Sequence, residues 1–222
     1  MRYLFLISGL ITILLTGCQS VKPRHLSPIA AQQSNGTSLP TANCQLPTLF
    51  SSPTFEKALF KASLDIGKHH LTGLVFVKAI PDTGYRVVFS NEFGMTYFDV
   101  ETRETRLQIN YCFEPLNKKM LWKILETDFL LLLDAKKGSF DGECFVQGTT
   151  NYLVYKRKAG NLKRWDIYNP TGDTLLEIRG KRSVADPALI SFTNYRDTSP
   201  FRITLVNDII KLKLSLSLIS IN

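Results

Sequence analysis

Apolar and polar residues alternate over much of the chain beyond residue 70, as they do in antiparallel strands that bury one face. The last such stretch is the clearest, because every second residue from Ile210 to Leu218 is Ile or Leu and all of those between are Lys or Ser. Turn sequences rich in Pro, Gly, Asn and Asp separate several of the stretches. About ten strands are predicted, over residues 71–80, 85–90, 95–101, 105–113, 145–156, 162–168, 174–178, 189–195, 201–206 and 210–218.

Two segments have helical spacing instead. Phe55, Leu59 and Ala62 predict a short helix over residues 54–64, with Gly67 suited to its end. After Pro115, an apolar stripe opposite charged residues predicts one long or two short helices over residues 115–135. The stripe contains Leu116, Met120, Leu121, Ile124 and Leu125. Because a large twisted antiparallel sheet curls, we predict an α+β fold, a curled antiparallel half-barrel whose concave face is covered by a few helices.

The N-terminal residues form an export sequence. Arg2 precedes an apolar stretch over residues 3–15 that is too short to span a bilayer, which takes roughly 20 residues. The stretch ends in Leu15-Thr16-Gly17-Cys18, which resembles a lipobox, the cleavage and lipidation motif of bacterial lipoproteins. The resemblance implies a signal peptide over residues 1–17 and acyl chains on Cys18 that anchor the protein to a membrane. The alternative is an ordinary secretory signal peptide with an incidental cysteine.

The next segment has the composition of a tether. Between Gln19 and Pro53 the chain is rich in Ser, Thr, Pro, Gln and Asn and contains no Asp or Glu. Such a segment buries too little apolar surface to offset the entropy of ordering it. We therefore predict a lipidated N-terminus and flexible tether over residues 18–53, followed by a single domain over residues 54–222.

The charge balance is basic, with 27 Lys and Arg against 19 Asp and Glu and a net charge of +8. This excess favours an anionic partner such as phospholipid headgroups, and an exported location makes nucleic acid a poor candidate. One predicted hairpin tip collects five basic residues, which either contact headgroups or form a solvated hairpin. They are Lys156, Arg157, Lys158, Lys163 and Arg164.

Cysteine usage leaves two possibilities open. With Cys18 lipidated, Cys44, Cys112 and Cys144 remain. In an oxidising compartment they either contain one disulfide, for which Cys112 with Cys144 is preferred because both fall in the folded part, or are three buried thiols. Their spacing does not match a zinc site, and no other metal or cofactor is expected.

No sequence motif for catalysis is present, so we expect a protein that is not an enzyme. His69 and His70 are neighbours at the start of a predicted strand, where neighbouring side chains point to opposite faces, which disfavours shared metal ligation. Two carboxylate pairs could be considered as acid and base, but nothing in the sequence positions them. The pairs are Asp128 with Asp134 and Asp141 with Glu143.

Phe93 occupies the turn Asn91-Glu92-Phe93-Gly94, where a large exposed aromatic residue is unusual. It either folds back onto the sheet or projects as a finger that touches acyl chains or a bilayer. The stretch from Tyr85 to Thr96 resembles the LolB family of outer-membrane lipoprotein receptors. The shared pattern is Tyr-Arg, an aliphatic strand, Ser-Asn, a loop with an apolar residue before Gly, and a second strand. The closing strand at Ile210 is also similar to that of the family.

This resemblance implies a function. LolB proteins are half-barrels that hold acyl chains in an apolar cavity, accept lipoproteins from a soluble periplasmic carrier and insert them into the outer membrane. It implies that Phe93, with Asn91 and Gly94, forms the membrane-insertion loop, and that Gly94 lets this loop flex. The expected ligand is a lipoprotein acyl chain or a phospholipid, and the expected state is a monomer anchored to the periplasmic face of the outer membrane. The expected cavity residues are Val87, Phe89, Leu107, Ile109, Tyr111, Leu121, Leu125, Leu212, Leu214 and Leu216.

A second function from another class fits the same sequence. A lipoprotein with this fold could act as a scaffold or interaction module in a cell-envelope complex. That alternative predicts a filled core and a protein partner instead of an acyl ligand.

Overall fold

The computed structural model describes residues 26–28, 49–50, 52, 54–103, 106–133, 143–147, 152–183, 187–196 and 199–222. The predicted signal peptide, the lipidation site Cys18 and Cys44 lie outside these residues. In the described part of the chain, no helix has both the length and the apolar character needed to cross a bilayer.

The described residues form one antiparallel sheet of thirteen strands. The strands are β1 (Leu26–Pro28), β2 (Lys57–Ile66), β3 (His69–Ile80), β4 (Gly84–Ser90), β5 (Thr96–Arg103), β6 (Arg106–Cys112), β7 (Glu143–Gln147), β8 (Tyr152–Ala159), β9 (Leu162–Tyr168), β10 (Leu175–Lys181), β11 (Pro187–Arg196), β12 (Ser199–Asn207) and β13 (Leu212–Ile221). A 3₁₀ turn, Glu114–Leu116, and one α-helix within the described ranges, α1 (Lys119–Leu133), follow β6.

The strand order is β1-β7-β8-β9-β10-β11-β12-β13-β2-β3-β4-β5-β6. Two meanders, β2 to β6 and β7 to β13, are therefore joined where β13 pairs with β2. The sheet is an open, curled half-barrel, which confirms the predicted fold class. It contains more strands than the ten predicted because three arise in segments interpreted otherwise: β1 in the tether, β2 in the predicted first helix, and one from the division of residues 145–156 into β7 and β8.

The helix predicted over residues 54–64 is wrong, because this segment forms β2. Ala58, Phe60, Ala62 and Leu64 are buried and the residues between them are more exposed, which is the period-two pattern of a strand. Hydrogen bonding to β13 on one side and β3 on the other places β2 inside the sheet. Gly67 ends this strand, not a helix, and adopts a φ of 57° in the tight turn to β3.

Leu107, Ile109 and Tyr111 are all predicted to line the cavity, but they do not share one face, because β6 contains a β-bulge. Val100 of β5 pairs with Ile109 and Asp99 pairs with Tyr111, so the chain gains one residue between these two pairs. The bulge turns Tyr111 to the same face as Asp99, and its side chain is 49% exposed. Tyr111 therefore does not line the concave side.

Helix α1 lies on the concave side of the sheet and packs against β6, β10 and β11. All seven residues from Thr127 to Leu133 are buried, which explains why this end of the helix is so apolar. Edge-to-face contacts of Phe98 with Trp122, and a tilted contact of Phe98 with Phe129, join the helix to β5. Met120, predicted in the buried stripe, is instead exposed. The predicted helical segment is thus one helix in the described residues.

The folded domain includes residues upstream of the predicted boundary at residue 54. Phe50 is buried, and its ring contacts Phe55 and Phe60 at centroid distances of 5.3 and 6.2 Å. The hydroxyl of Tyr85 donates a hydrogen bond to the carbonyl oxygen of Phe50 at 2.5 Å. Strand β1 pairs with β7 from within the predicted tether. Leu49 and Phe50 therefore pack with the core of the domain, although they precede residue 54.

Cys112 is a free thiol, so the preferred disulfide between Cys112 and Cys144 is wrong. Its sulfur donates a hydrogen bond to the carbonyl oxygen of Phe113. Cys112 lies in β6, at one end of the strand order, whereas Cys144 lies in β7, next to the opposite end. A disulfide needs Cα atoms within about 7 Å.

Candidate functional site

The turn between β4 and β5 is closed by Asn91. The Oδ1 atom of Asn91 accepts hydrogen bonds from the backbone N–H groups of Phe93, at 3.0 Å, and Met95, at 2.8 Å. Its own backbone N–H donates to the carbonyl of Met95, and its carbonyl accepts from the N–H of Gly94. The predicted role of Asn91 in the loop is therefore internal: its side chain fixes the backbone that carries Phe93.

Phe93 projects from this turn into solvent, with 97% of its side chain exposed. The alternative in which it folds back onto the sheet is excluded by this exposure. Full burial of a phenylalanine side chain in an apolar environment lowers the free energy by up to roughly 3 kcal/mol. Met95, two residues later, is also exposed. A braced turn that presents two large apolar side chains to water is suited to contact with an apolar phase.

Gly94 supplies the backbone geometry of this turn. Its φ is +85°, a conformation that residues with a Cβ atom rarely adopt, and a Cβ placed there would meet no atom within 4 Å. Glycine is therefore required by the backbone and not by a lack of space. The hydrogen bonds around it describe a defined turn.

Replacing Gly94 with alanine should lower the free energy of unfolding by about 1 kcal/mol, because alanine must occupy a left-handed conformation. Gly160 in the β8–β9 turn is a matched control, with a φ of +58° and equally open surroundings. Chemical denaturation should give similar losses for both variants, and only Gly94→Ala should alter processes that depend on Phe93. A loss of stability at Gly160 alone would contradict the strain assigned to Gly94.

The concave face brings together most of the residues predicted to line a cavity. Seven of them are buried in one continuous apolar core, and Leu107 packs against it while partly exposed. The seven are Val87, Phe89, Leu121, Leu125, Leu212, Leu214 and Leu216. Ile109 pairs with the inward-facing Val100 but is 42% exposed, because β6 is an edge strand of the described sheet. Tyr111 is displaced by the bulge.

Glu126 of α1 connects the two sides of the open sheet. One of its carboxylate oxygens accepts the backbone N–H of Leu107 in β6 at 3.1 Å, and the other pairs with Arg182, just after β10, at 2.9 Å. The helix is thus held across the concave face by polar contacts as well as by its leucines.

The predicted basic hairpin tip is only partly exposed. Arg164 is fully buried, pairs with Asp166 at 2.5 Å and donates to the carbonyl oxygen of Leu131 in α1 at 2.7 Å. Arg157 pairs with the other oxygen of Asp166 at 2.5 Å. Arg164 therefore joins the helix to the sheet and Arg157 joins β8 to β9, so both arginines are engaged within the fold. Lys156, Lys158 and Lys163 are exposed.

Sequence reasoning missed Asp166, which is the centre of this network. Arg164 and Asp166 are two residues apart in β9 and therefore share a face. Their neighbours Leu162 and Tyr168 continue that face and belong to the apolar core. The alternation of these four residues along β9 is the sequence pattern that could have predicted a buried Arg164.

The residues considered for catalysis and metal binding are not brought together. Asp128 lies on the buried face of α1, Asp134 and Asp141 lie outside the described residues, and Glu143 is in β7. Nδ1 of His70 contacts the carboxylate of Asp65 at 2.5 Å on the surface. No group of three or more possible metal ligands occurs among the residues that the structure covers.

Comparisons with known proteins identify the architecture. No protein-family model matches the chain, and no curated protein matches it significantly. The chain is similar to a LolA superfamily protein from Nitrosomonas europaea, with a TM-score of 0.50 and 7% identity, covering 75% of this chain and 84% of that one. A Vibrio parahaemolyticus domain assigned to outer membrane lipoprotein sorting has a TM-score of 0.45 and 10% identity, covering 75% and 83%. The first similarity shows that the chain has the fold of the LolA superfamily.

Proposed function

We propose that the protein is a LolB-like lipoprotein that accepts lipoproteins from a soluble periplasmic carrier and inserts them into the outer membrane. In this proposal it is a non-enzymatic monomer, anchored to the periplasmic face of that membrane through acyl chains on Cys18. The acyl chains of the cargo bind on the concave face, between α1 and the sheet, where apolar burial is favourable.

The observation that carries this proposal is Phe93. A side chain that is 97% exposed on a turn held by four hydrogen bonds is costly to retain in water without an apolar partner. The rest of the turn is built to present it, because Asn91 braces the backbone and Gly94 provides the left-handed residue. Contact of Phe93 with the bilayer would bring the concave face next to the membrane that receives the cargo.

The transfer step needs an affinity gradient. The concave face must bind the acyl chains more tightly than the carrier does and less tightly than the bilayer does, or release would stall. Helix α1 occupies this face with Leu130, Leu131 and their neighbours. Entry of an acyl chain therefore exchanges leucine contacts of the helix for contacts with the ligand, which keeps the net gain on binding moderate.

The test is ligand binding by the anchor-free chain Gln19–Asn222, which retains all residues that the structure describes. Incubation with a triacylated lipopeptide should give a one-to-one complex in native mass spectrometry. The same peptide without acyl chains is the control and should not bind. An unliganded mass at every lipopeptide concentration would contradict the proposal.

A second function is favoured by the exposed edge strand. Ile109 and Tyr111 of β6 are both large and exposed, and β6 has a strand neighbour on one side within the described sheet. An edge of this kind can pair with a strand of another protein. A scaffold role in an envelope complex predicts that Tyr111→Asp abolishes capture of a partner, while the chain shows no acyl ligand.

A further inference from the structure

The turn between β12 and β13 is built like the turn that carries Phe93. The Oδ1 atom of Asn207 accepts hydrogen bonds from the backbone N–H groups of Ile209, at 3.1 Å, and Ile210, at 3.4 Å. The buried side chain of Asn207 is itself fixed by donating to the carbonyl oxygen of Pro187 at 2.8 Å. This brace leaves Ile209 projecting outward, with 46% of its side chain exposed.

The two turns lie at the same end of the sheet. The antiparallel pairs Ile66 with Leu212 and Leu74 with Ser90 place the β2–β3, β4–β5 and β12–β13 turns at one end. The N–H of Gly67 donates to the carbonyl of Lys211 at 3.3 Å, so the β2–β3 and β12–β13 turns are in direct contact. The turn that carries Phe93 and the turn that carries Ile209 form two apolar tips. They are separated by four strand spacings of about 4.8 Å, which is roughly 20 Å across the sheet.

Lysines lie along the same end of the sheet, between the two turns and beyond the β12–β13 turn. Lys68 and Lys211 lie in the β2–β3 and β12–β13 turns, and Lys158 pairs directly with Lys163 across β8 and β9 at the same end of the sheet. Lys163 in turn pairs with Lys181 of β10, so three lysines stand side by side. Like charges directly opposite one another are destabilising unless an anion lies between them.

Among the described residues at this end, acidic side chains only partly balance the lysines. Glu92 and Asp208 are exposed in the β4–β5 and β12–β13 turns, and Asp65 is paired with His70. Lys158, Lys163 and Lys181 form no ion pair within the described residues. Both the charge and the apolar tips of this end therefore match a surface that is anionic outside and apolar within.

We infer that this end of the sheet, termed the rim (residues 67–68, 91–95, 160–161 and 208–211), docks on an anionic phospholipid bilayer through two apolar anchors, Phe93 and Ile209. The inference rests on the proposed function for the membrane contact of Phe93 and adds the second anchor and the lipid class. A single finger leaves the domain free to rotate about it. Two anchors roughly 20 Å apart hold the line that joins them against the membrane and leave rotation about that line only.

The inference is tested by vesicle flotation of the anchor-free chain Gln19–Asn222. The vesicles contain either phosphatidylcholine alone or phosphatidylcholine with phosphatidylglycerol. Ile209→Asp should lower the partition coefficient on the anionic vesicles by about tenfold, because burial of the isoleucine is lost. The double variant Lys158→Glu/Lys163→Glu should lower it by at least that factor on anionic vesicles, with little effect on neutral ones.

Ile219 provides a matched control. It is 55% exposed and lies at the opposite end of β13, so Ile219→Asp should bind vesicles like the unchanged chain. Circular dichroism checks that each variant is folded, and Ile209→Ser replaces the aspartate variant if that variant unfolds. Unchanged binding by Ile209→Asp, together with impaired binding by Phe93→Glu, would overturn this inference and leave the proposed function standing. Unchanged binding by both variants would overturn the membrane contact of the proposed function as well.

Discussion

Glutamate in place of Phe93 should reduce insertion of a bound lipoprotein into vesicles by roughly a hundredfold, while binding of the acylated ligand stays intact. The change removes an apolar side chain whose burial in the bilayer contributes up to about 3 kcal/mol and adds a charge that resists burial. The side chain of Phe93 is exposed and outside the core, so the fold loses no packing. Transfer of a fluorescent lipopeptide from the protein to vesicles measures the insertion rate.

Leucine at the same position is the control for this experiment. Phe93→Leu keeps an apolar tip on the same braced turn and should retain insertion within a few-fold. Native mass spectrometry of both variants with the lipopeptide separates delivery from binding. Normal insertion by Phe93→Glu would remove the finger from the mechanism. A loss of ligand binding in that variant would instead assign Phe93 to the acyl-chain site.

Asp166→Ala should lower the free energy of unfolding by about 3–5 kcal/mol, a large part of the 5–15 kcal/mol typical of a domain. Asp166 pairs with Arg164 and Arg157 at 2.5 Å, and its removal takes a carboxylate away from the buried guanidinium of Arg164. Because Arg164 also binds the carbonyl oxygen of Leu131, the loss should loosen α1 on the sheet. Urea denaturation followed by tryptophan fluorescence measures the change.

Asp99→Ala is the matched control for the buried network. Asp99 pairs with Arg86 at 2.5 Å, but Arg86 is half exposed, and the pair lies on the outer face of the sheet. Exposed ion pairs contribute roughly 0–1 kcal/mol. Equal losses for Asp166→Ala and Asp99→Ala would show that the Arg164 network does not hold the helix.

The alternation of residue types was enough to predict β3 to β5 and the closing strand, because each buries one face. It failed at β2, where Phe55, Leu59 and Ala62 have helical spacing while Ala58, Phe60 and Leu64 also alternate. The choice between the two is made by pairing with β13, more than a hundred residues away. Local spacing contains no information about that partner.

The sequence predicted one part of the candidate site, the turn of Phe93, and missed others. Phe93 is conspicuous in the sequence because a large aromatic residue in a Gly-containing turn conflicts with ordinary turn composition. Ile209 gave no comparable indication, since its exposure depends on the brace made by Asn207. The bulge that turns Tyr111 outward is also invisible to period-two reasoning, because one inserted residue changes the face of those that follow.

The pairing of β2 with β13 has a consequence for the kinetics of folding. Strands at residues 57–66 and 212–221 hydrogen-bond along nearly their whole length, so contacts between distant parts of the chain join the two meanders. Sheets dominated by such distant pairings have high contact order and fold in milliseconds to seconds, far more slowly than helical bundles. Until residues 212–221 have arrived, β2 and β12 are both unpaired edges. The nascent domain is therefore open to aggregation for as long as its last ten-residue strand is missing.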